Sequence, residues 1–346
     1  MNPALNKRQD LILGWLDKRP KAPIAEILKL LQGATRITLN RDLKKLRDLG
    51  YLVTHGQGRA LTYSLSPEHA LVHPIDPDVY FKKETDQRSA RDRFNFELFS
   101  FLDNPFTTAE MDQLNALGKE YEKNRNRFPA RLAEQEFERL TIEFSWKSSQ
   151  IEGNTYSLLE TEALIREHRE AKGHSKPEAR MILNHKETLD YVRKHPGDYK
   201  KISVAKIEDL HSLLTHGLSI ARGLRKRPVG IVGTRYRPLD NAFQIREALE
   251  KACRIVNREK NVFAKTLLVL LLIAYIQPFE DGNKRTSRMT GNAILLAHHL
   301  CPLSYRSADE TEYKKAVILF YEQNNLTYFK KLFIEQFEFA VKNYFL

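Results

Sequence analysis

Hydrophobic positions near the start of the chain recur with the 3.6-residue period of amphipathic helices. The spacing predicts a first helix that ends near Leu16 and a second helix between Pro23 and Gly33. A third helix is predicted between Thr35, a candidate N-cap, and Gly50, which suits the left-handed position after a helix end. One face of this third helix is expected to be apolar, with Leu39, Leu43, Leu46 and Leu49.

The pattern of residues 51–65, YLVTHGQGRALTYSL, is that of two β-rich arms around a Gly-containing turn, and it predicts a hairpin. Together, residues 1–65 resemble a winged helix-turn-helix domain of the DeoR-like kind. The resemblance implies DNA binding by the exposed side of the third helix and by Arg59 of the wing, with docking of a protein or a second copy as the alternative. The expected DNA-contacting residues of the third helix are Arg36, Thr38, Asn40, Arg41, Lys44 and Lys45.

Residues 66–104 are expected to form a connector, because three prolines interrupt SPEHALVHPIDPD. The following stretch, RSARDRFNFELFSFLDNPF, predicts a helix with an aromatic face. Helical spacing then dominates residues 105–346, where eight segments between residues 131 and 325 show it. One stretch differs: RPVGIVGTRYRPL, residues 227–239, is β-branched and Gly-bearing and predicts a short β-hairpin flap. The expected fold class is therefore mainly α.

Composition favours a globular protein of a reducing compartment. Hydrophobic residues make up 42% and charged residues 29% of the 346 residues, which is ordinary for such proteins. Cys253 and Cys301 are the only cysteines, so no disulfide framework or Cys-based zinc site is expected. The N-terminus lacks the apolar core of a signal peptide, and the apolar run at residues 266–276 is too short to cross a bilayer. We therefore expect a cytoplasmic protein without membrane partners.

The positive charge of the chain is concentrated at its N-terminal end. Residues 1–65 contain 12 Lys and Arg against 5 Asp and Glu, a net charge of +7 out of +12 for the whole chain. Such a basic domain favours nucleic acid as a partner, although a merely solvated basic face has the same composition.

Residues 277–288, QPFEDGNKRTSR, combine a turn with an anion-binding pattern. Pro278 stops the preceding apolar helix and biases Gln277 toward an extended backbone. Gly282 permits a tight turn, and a new helix is expected to begin near Asn283 with its free N–H groups directed at the loop. Asp281 is a hard oxygen ligand of the kind that Mg²⁺ takes beside phosphates. Three cations complete the predicted anion site: Lys284, Arg285 and Arg288.

This stretch resembles the Fic motif, His-Pro-Phe-x-Asp/Glu-Gly-Asn-Gly-Arg-x-x-Arg on a helix–loop–helix. The matching residues are Pro278, Phe279, Asp281, Gly282, Asn283, Arg285 and Arg288. Gln277 replaces the His, and Lys284 replaces the second Gly, as in the Doc branch of the superfamily, where a similar loop accompanies phosphate rather than AMP transfer. The resemblance covers roughly residues 106–346, including the flap, and implies a Fic-type helical domain.

A second stretch, SSQIEGN, fits the same family. Many Fic proteins carry Ser/Thr-x-x-x-Glu-Gly/Asn on an inhibitory helix, and Ser148, Glu152 and Gly153 match it. The helical period places Ser148 and Glu152 on one face of a helix at about residues 145–153. The resemblance implies that Glu152 pairs with Arg288 and so displaces the ATP γ-phosphate. A solvated Glu at a helix end is the plainer interpretation.

The family resemblance implies a protein adenylyltransferase that moves AMP from ATP to a Ser, Thr or Tyr hydroxyl of a target protein. Asp281 would hold Mg²⁺, and the phosphates would be bound by Gly282, Asn283, Lys284, Arg285 and Arg288. The flap would align the target segment by β-augmentation, with Val232, Gly233, Thr234 and Tyr236 as docking residues. A homodimer stays open.

Gln277 changes the expected chemistry, because its amide cannot accept a proton as the family His does. His185, His211 and His216 lie outside the motif and are expected to be structural or exposed. Three interpretations remain: Gln277 is an engineered knock-out, it is native to a degenerate domain that binds nucleotide, or Glu152 activates water for AMP removal. The alternative to an adenylyltransferase is a DNA-binding regulator whose helical domain senses nucleotide.

Overall fold

The structure is a computed structural model that describes residues 5–16, 19, 21–31, 33–103 and 105–345. At residue 59 only the backbone is described, so the predicted wing contact of Arg59 lies outside the described side chains. The buried apolar residues of the described part of the chain form a small N-terminal core, a large helical core and a third, small cluster around Ile142, Leu164 and Ile182.

Three helices and a three-stranded antiparallel sheet make up the N-terminal region. In chain order they are α1 (Lys7–Leu16), β1 (Ala22–Pro23), α2 (Ile24–Leu30), α3 (Arg36–Asp48), β2 (Leu52–His55) and β3 (Thr62–Leu65). The strand order is β1-β3-β2, and β2 pairs with β3 from Leu52 opposite Leu65 to His55 opposite Thr62. The predicted three helices and the predicted hairpin are therefore present, and a 3₁₀ turn at Gly58–Ala60 lies at the hairpin tip.

The boundaries of α3 follow from its capping residues. The Oγ1 atom of Thr35 accepts a hydrogen bond from the backbone N of Thr38 at 3.2 Å, as an N-cap does. Gly50 has a φ of +75° after the last helical turn, a conformation that glycine adopts without strain. On the inner side of α3, the buried carboxylate of Asp42 binds the Nε atom of Arg8 at 2.8 Å and so fixes α1 against α3.

The connector contains two short helices, α4 (Pro67–Val72) and α5 (Pro77–Phe81), and 3₁₀ turns at Thr85–Gln87 and Phe96–Ser100. The predicted aromatic helix over residues 88–106 is wrong. The backbone N–H groups of this stretch bind the helical domain instead of forming helical hydrogen bonds: Arg91 N donates to Glu322 O at 2.8 Å, and Asn95 N donates to the Tyr275 hydroxyl at 2.9 Å. Its aromatic residues were placed by tertiary packing, not by helical period.

Ten helices form the domain over residues 105–345. They are α6 (Thr108–Arg127), α7 (Ala130–Gln150), α8 (Leu158–Glu167), α9 (Lys176–Lys194), α10 (Val204–Leu214), α11 (Ala242–Arg258), α12 (Val262–Ile276), α13 (Asn283–Ala297), α14 (Glu310–Gln323) and α15 (Thr327–Asn343), with a 3₁₀ turn at Pro196–Lys200. Eight of them were predicted from their spacing, and α6 and α15 were not singled out. The mainly α prediction is confirmed.

The centre of this domain is the closely packed pair of α12 and α13. α12 is apolar along nearly its whole length and is buried between α11, α13 and α14, while α13 also packs against α7, α9 and α10. Because both helices are enclosed, the turn that joins them, residues 277–282, is held from several sides. The fold thus places the motif loop where a distant helix end can reach it.

The flap, residues 227–239, is not a hairpin. It has a turn at Val232 and Gly233, but its two arms do not pair with each other. The second arm pairs with the connector instead, through a parallel bridge between Arg93 and Arg237 and a hydrogen bond from Arg237 N to Asp92 O at 2.9 Å. The predicted β-hairpin is therefore corrected to an irregular turn, because the connector takes the hydrogen-bonding groups of one arm.

Two composition-based expectations can be compared with the fold. Cys253 and Cys301 are both free and buried, so neither forms a disulfide. Among the described residues, no helix is long and apolar enough to traverse a lipid bilayer, and the most apolar helix, α12, has 15 residues.

Candidate functional site

The backbone of Gln277 is left-handed, with φ 51° and ψ 59°, contrary to the predicted extended conformation. Its N–H closes the end of α12 by donating to Ile273 O at 3.1 Å, and its carbonyl accepts from the Nε atom of buried Arg225 at 2.6 Å. A non-glycine residue in this region costs roughly 1–2 kcal/mol. These two bonds outweigh the preference imposed by Pro278.

The side-chain amide of Gln277 is buried, and all its polar atoms have partners. The Nε2 atom donates to Ala274 O at 2.7 Å and to the Tyr321 hydroxyl at 3.2 Å, and the Oε1 atom accepts from the Nδ2 atom of Asn283 at 3.0 Å. Burial raises the pKa of Tyr321 well above its usual value, so this hydroxyl stays protonated. Gln277 therefore joins α12, α14 and the motif loop without supplying a proton acceptor.

Asn283 fixes the shape of the loop. Its Oδ1 atom accepts from Phe279 N at 2.8 Å, and its Nδ2 atom donates to Phe279 O at 2.8 Å. Gly282 has a φ of +79°, and a Cβ there would lie 3.3 Å from Thr215 Cγ2, so the turn needs glycine. No side chain caps α13, and its first N–H groups consequently face the loop, which is the arrangement that binds anions.

His211 lies at the motif loop, which the sequence did not indicate. Its ring stacks on Phe279 with centroids 3.7 Å apart and planes 8° apart, and its Nε2 atom donates to Asp281 O at 3.0 Å. Burial lowers the pKa of His211 to about 4, so the ring is neutral near pH 7. His211 therefore holds the loop by stacking and hydrogen bonding, and stacking partners of this kind carry no sequence signal.

Glu152 binds two cations at the start of α13. α7 ends at Gln150, and Glu152 lies in the turn that follows instead of on the predicted helix face. Its Oε1 atom lies 2.9 Å from Arg288 Nη2 and its Oε2 atom 3.0 Å from Lys284 Nζ. Burial alone would raise the pKa of Glu152, but the two cations outweigh burial and lower it to about 2. The carboxylate is therefore charged at any physiological pH.

Arg288 is fully buried and is also held by the end of α7. Its Nε atom donates to Ser148 Oγ at 2.9 Å and its Nη2 atom to Ser148 O at 2.8 Å, while its Nη1 atom has no hydrogen-bond partner among the described residues. Ser148 Oγ also lies 3.0 Å from His185 Nε2. Burial lowers the pKa of His185 to about 3, so a neutral ring supports Ser148. Gly153 follows Glu152 with a φ of +94°.

Arg285 is buried beside Asp281. Its Nη2 atom lies 2.9 Å from Asp281 Oδ2, and its Nε and Nη1 atoms are buried without partners in the described part of the chain. The carboxylate of Asp281 is 67% exposed. Buried guanidinium donors that lack an acceptor are costly, and an anion at this position would satisfy them.

A cavity of about 360 Å³ lies beside the motif loop, under the flap. Lys284, Asn283 and Glu152 line it, whereas Arg285 and Arg288 do not. The remaining lining residues are Val229, Gly230, Ile231, Val232, Gln277, Glu280, Asp281, Lys314, Val317, Ile318 and Tyr321. Glu152 lines the cavity and binds Arg288, so its carboxylate separates the cavity from this predicted phosphate-binding residue.

A family comparison agrees with this geometry: residues 201–295 match the model described as the Fic/DOC family. The chain carries a Fic/DOC family domain. Solved structures with a similar fold include Fic-1 of C. elegans (TM-score 0.59, 18% identity, 68% of this chain and 72% of that one) and a Fic family protein of Desulfovibrio desulfuricans (TM-score 0.56, 21% identity, 68% and 74%). At these identities the likeness shows the fold alone.

Two curated relatives of the chain are named for an activity. A probable protein adenylyltransferase of Aquifex aeolicus is 27% identical over 111 residues, which cover 32% of this chain and 34% of that protein. The protein adenylyltransferase Fic of Nematostella vectensis is 28% identical over 178 residues, which cover 49% and 40%. The match therefore spans well under half the length of either relative.

The metal site of the Fic domain was predicted at Asp281. No group of three or more His, Cys, Asp or Glu side chains that could hold an ion occurs among the described residues. The exposed carboxylate of Asp281 suits a hard cation that takes its other ligands from phosphate and water. The donor set therefore fits Mg²⁺ only together with a nucleotide.

The predicted docking residues of the flap occupy different environments. Val232 is 96% exposed and lines the cavity, and Gly233 forms the turn with a φ of +84°. The Oγ1 atom of Thr234 accepts from Tyr236 N at 3.1 Å. Tyr236 is buried, its ring stacks on Tyr275 at 4.8 Å and its hydroxyl donates to Tyr275 O at 2.8 Å. Tyr236 is thus an anchor of the flap, because α12 offers it an aromatic face and a carbonyl acceptor.

The predicted DNA-contacting residues lie on the outer face of α3. Thr38 is half-buried, with its Oγ1 atom 3.0 Å from Thr35 Oγ1, and the others are exposed. No ion pair within the described residues involves the four cations of this face: Arg36, Arg41, Lys44 and Lys45. Exposed Ile37 lies among them at the first turn.

Proposed function

We propose that the chain is a Fic-type protein adenylyltransferase scaffold that binds ATP with Mg²⁺, is held inactive by Glu152 and is slowed by Gln277. One observation carries the proposal: the Glu152 carboxylate bridges Lys284 and Arg288 at the start of α13, on the wall of the cavity beside the Fic motif. A carboxylate held by two cations at a helix N-terminus occupies a place suited to phosphate.

The phosphate-binding roles follow from the unsatisfied donors. Asn283 and Lys284, the first residues of the uncapped helix α13, line the cavity, and buried N–H groups of Arg285 and Arg288 lack acceptors among the described residues. Asn283 keeps the loop in the shape that presents these groups. When bound, Mg²⁺ would neutralise phosphate charge at Asp281. Departure of Glu152 would expose the cations to a triphosphate.

Gln277 limits the proposed transfer step. The attacking hydroxyl needs a proton acceptor, and the absence of a positioned general base costs about 10² to 10⁴ in rate. No histidine lines the cavity in the described part of the chain, and the neighbouring Tyr321 hydroxyl is protonated. The carboxylates of Glu280 and Asp281 face it, with Asp281 reserved for the metal. We therefore propose that this chain binds nucleotide but transfers AMP slowly.

Transfer of label from ATP to protein tests the proposal. ATP labelled at the α-phosphate is incubated with lysate and the full chain, its Gln277→His and Glu152→Gly variants, and the double variant. We expect clear labelling with the double variant and about 10² to 10⁴ less with Glu152→Gly alone. A Gln277→Asn variant controls for the size change. ATP labelled at the γ-phosphate distinguishes phosphate transfer of the Doc kind, and transfer of neither label contradicts the proposal.

Calorimetry separates binding from chemistry. The Glu152→Gly variant is titrated with ATP in the presence and absence of Mg²⁺, because the released cations should bind the triphosphate. We expect Mg²⁺-dependent association that is at least tenfold weaker in the unaltered chain, where Glu152 competes. A protein that binds no nucleotide in either form would disprove the scaffold.

A second candidate function is that of a DNA-binding regulator. We propose that residues 1–65 form a winged helix-turn-helix domain, supported by the helices, the hairpin and the separate core. The specific observation is the outer face of α3, where exposed cations lack acidic partners among the described residues. Fluorescence anisotropy with duplex DNA at several salt concentrations tests it, since phosphate contacts make binding weaken steeply with salt. Salt-independent binding would contradict this function.

A further inference from the structure

The two arms of the flap differ in how their main-chain groups are used. In the second arm, residues 233–239, the carbonyl of Gly233 accepts from the buried Arg88 side chain, and Arg237 N donates to Asp92 O. Arg88 is itself fixed by Glu322 at 3.0 Å. This arm is therefore fastened to the connector at both of these points.

The other arm has free main-chain groups. Residues 228–232, here named the open arm, form no helix or strand, and none of their N–H or C=O groups makes a hydrogen bond to a described residue. Val229 and Ile231 are half-buried, and Val232 is almost fully exposed at the cavity wall. Successive unpaired N–H and C=O groups beside a cavity are what an added polypeptide strand binds.

The surroundings of the open arm are strongly basic. The chain has no Asp or Glu from residue 211 to residue 239. Lys226 and Arg227, which lead directly into the open arm, are exposed and form no ion pair within the described residues, and neither does Lys314 on the cavity wall. Arg222, Arg235 and Arg237 are exposed on the same segment.

Docking of an extended target segment at the flap is what the family resemblance implies. We propose in addition that the segment docked at the open arm, which carries the hydroxyl to be modified, is acidic. The inference rests on the proposed function and adds the class of target to it. Three carboxylates line the cavity itself (Glu152, Glu280 and Asp281), so the charge preference arises outside the cavity. The acidic residues of the segment therefore flank the hydroxyl and meet Lys226 and Arg227. A polypeptide is favoured over nucleic acid because the open arm offers main-chain groups in series.

Peptide binding tests the proposal without needing transfer. The probes are fluorescent peptides with one Ser in an acidic sequence, its Asn/Gln counterpart and a Lys/Arg counterpart, bound to the full chain with Glu152→Gly. We expect the acidic peptide to bind about tenfold tighter than the neutral one, with the preference lost at high salt. N-methylation of its backbone amides should weaken binding about tenfold, because the open arm would lose main-chain partners.

Charge reversal identifies the surface. Lys226→Glu with Arg227→Glu should raise the Kd of the acidic peptide about tenfold or more. Lys123→Glu with Arg127→Glu on α6 makes the same charge change at exposed residues elsewhere, and it should leave the Kd within twofold. Circular dichroism checks that both variants fold. Equal binding of acidic and neutral peptides, or equal effects of the two charge reversals, would overturn the proposal.

Two further outcomes are informative. Displacement of the acidic peptide by single-stranded DNA, with tighter DNA binding through Lys226 and Arg227, would mean a nucleic-acid surface and would also overturn the inference. The proposed function is checked on the same protein by calorimetry with Mg²⁺ and ATP. If the protein binds nucleotide but does not distinguish acidic from neutral peptides, only this inference is wrong. If it distinguishes the peptides but binds no nucleotide, the proposed function is wrong and the docking surface remains.

Discussion

Two groups of Lys and Arg side chains in this chain occupy opposite environments. On α3, Arg36, Arg41 and Lys44 are exposed and have no acidic partner among the described residues. At the start of α13, Arg288 is fully buried, and its guanidinium shares the Glu152 carboxylate with Lys284. The exposed group is screened by salt and suits an extended polyanion. The buried group is selective, because its cations become available to another anion only when Glu152 moves away.

The largest expected difference between the two groups is in their contribution to the free energy of unfolding. Arg288→Ala should destabilise the helical domain by about 3–5 kcal/mol, because it removes one partner of a buried ion pair and the two hydrogen bonds from the guanidinium to Ser148. Arg41→Ala, its exposed match on α3, should change stability by less than about 0.5 kcal/mol. Urea unfolding measures both variants: Trp146 fluorescence in a Trp15→Phe background reports on the helical domain for Arg288→Ala, and Trp15 fluorescence in a Trp146→Phe background reports on the N-terminal core for Arg41→Ala. Similar small shifts in both variants would mean that the two groups are equally solvated.

The pH dependence of stability sharpens the contrast. The pKa of Glu152 is about 2 in the fold against 4.5 as the ordinary value, which corresponds to roughly 3 kcal/mol of stability above pH 5. Because the folded pKa is depressed, this stability is lost as pH falls, by about 1 kcal/mol at pH 4 and mostly by pH 2.

Urea unfolding between pH 7 and pH 4 checks this for the unaltered chain and Glu152→Gln, which should lack that part of the pH slope. Glu138→Gln, at a half-exposed carboxylate of α7, serves as the matched control and should keep the slope. An identical slope in the unaltered chain and Glu152→Gln would contradict the ion cluster.

The smallest expected effect is on α3. If this face contacts phosphate, Lys44→Ala should weaken DNA binding uniformly across sequences and reduce the slope of log K against log salt by about 1. Lys123→Ala on α6 is the matched control, because it removes one exposed charge outside residues 1–65. Anisotropy titrations over a salt series measure both. A slope that Lys44→Ala leaves unaltered would remove α3 from the interface.

Sequence patterns predicted helices and strands better than they predicted the tertiary contacts that each segment makes. The capped helix α3 and its hairpin follow from local signals, because a Thr cap, a Gly stop and alternating arms act within a few residues. The aromatic stretch at residues 88–106 and the flap were misjudged, since their main-chain groups bind one another and α14 across long sequence separations. Tyr236 was expected at a surface, yet its hydroxyl finds a buried carbonyl.

By itself the sequence determined the motif loop: Pro278 ends a helix, Gly282 permits the turn, and Asn283 begins the next helix, all through local backbone constraints. The motif resemblance implied that Glu152 pairs with Arg288, but only the tertiary structure brings these side chains, 136 residues apart in sequence, to 2.9 Å. The same holds for the stacking of His211 on the loop and for the closure of one flap arm by the connector. Such contacts depend on how distant helices pack, and no short-range pattern encodes them.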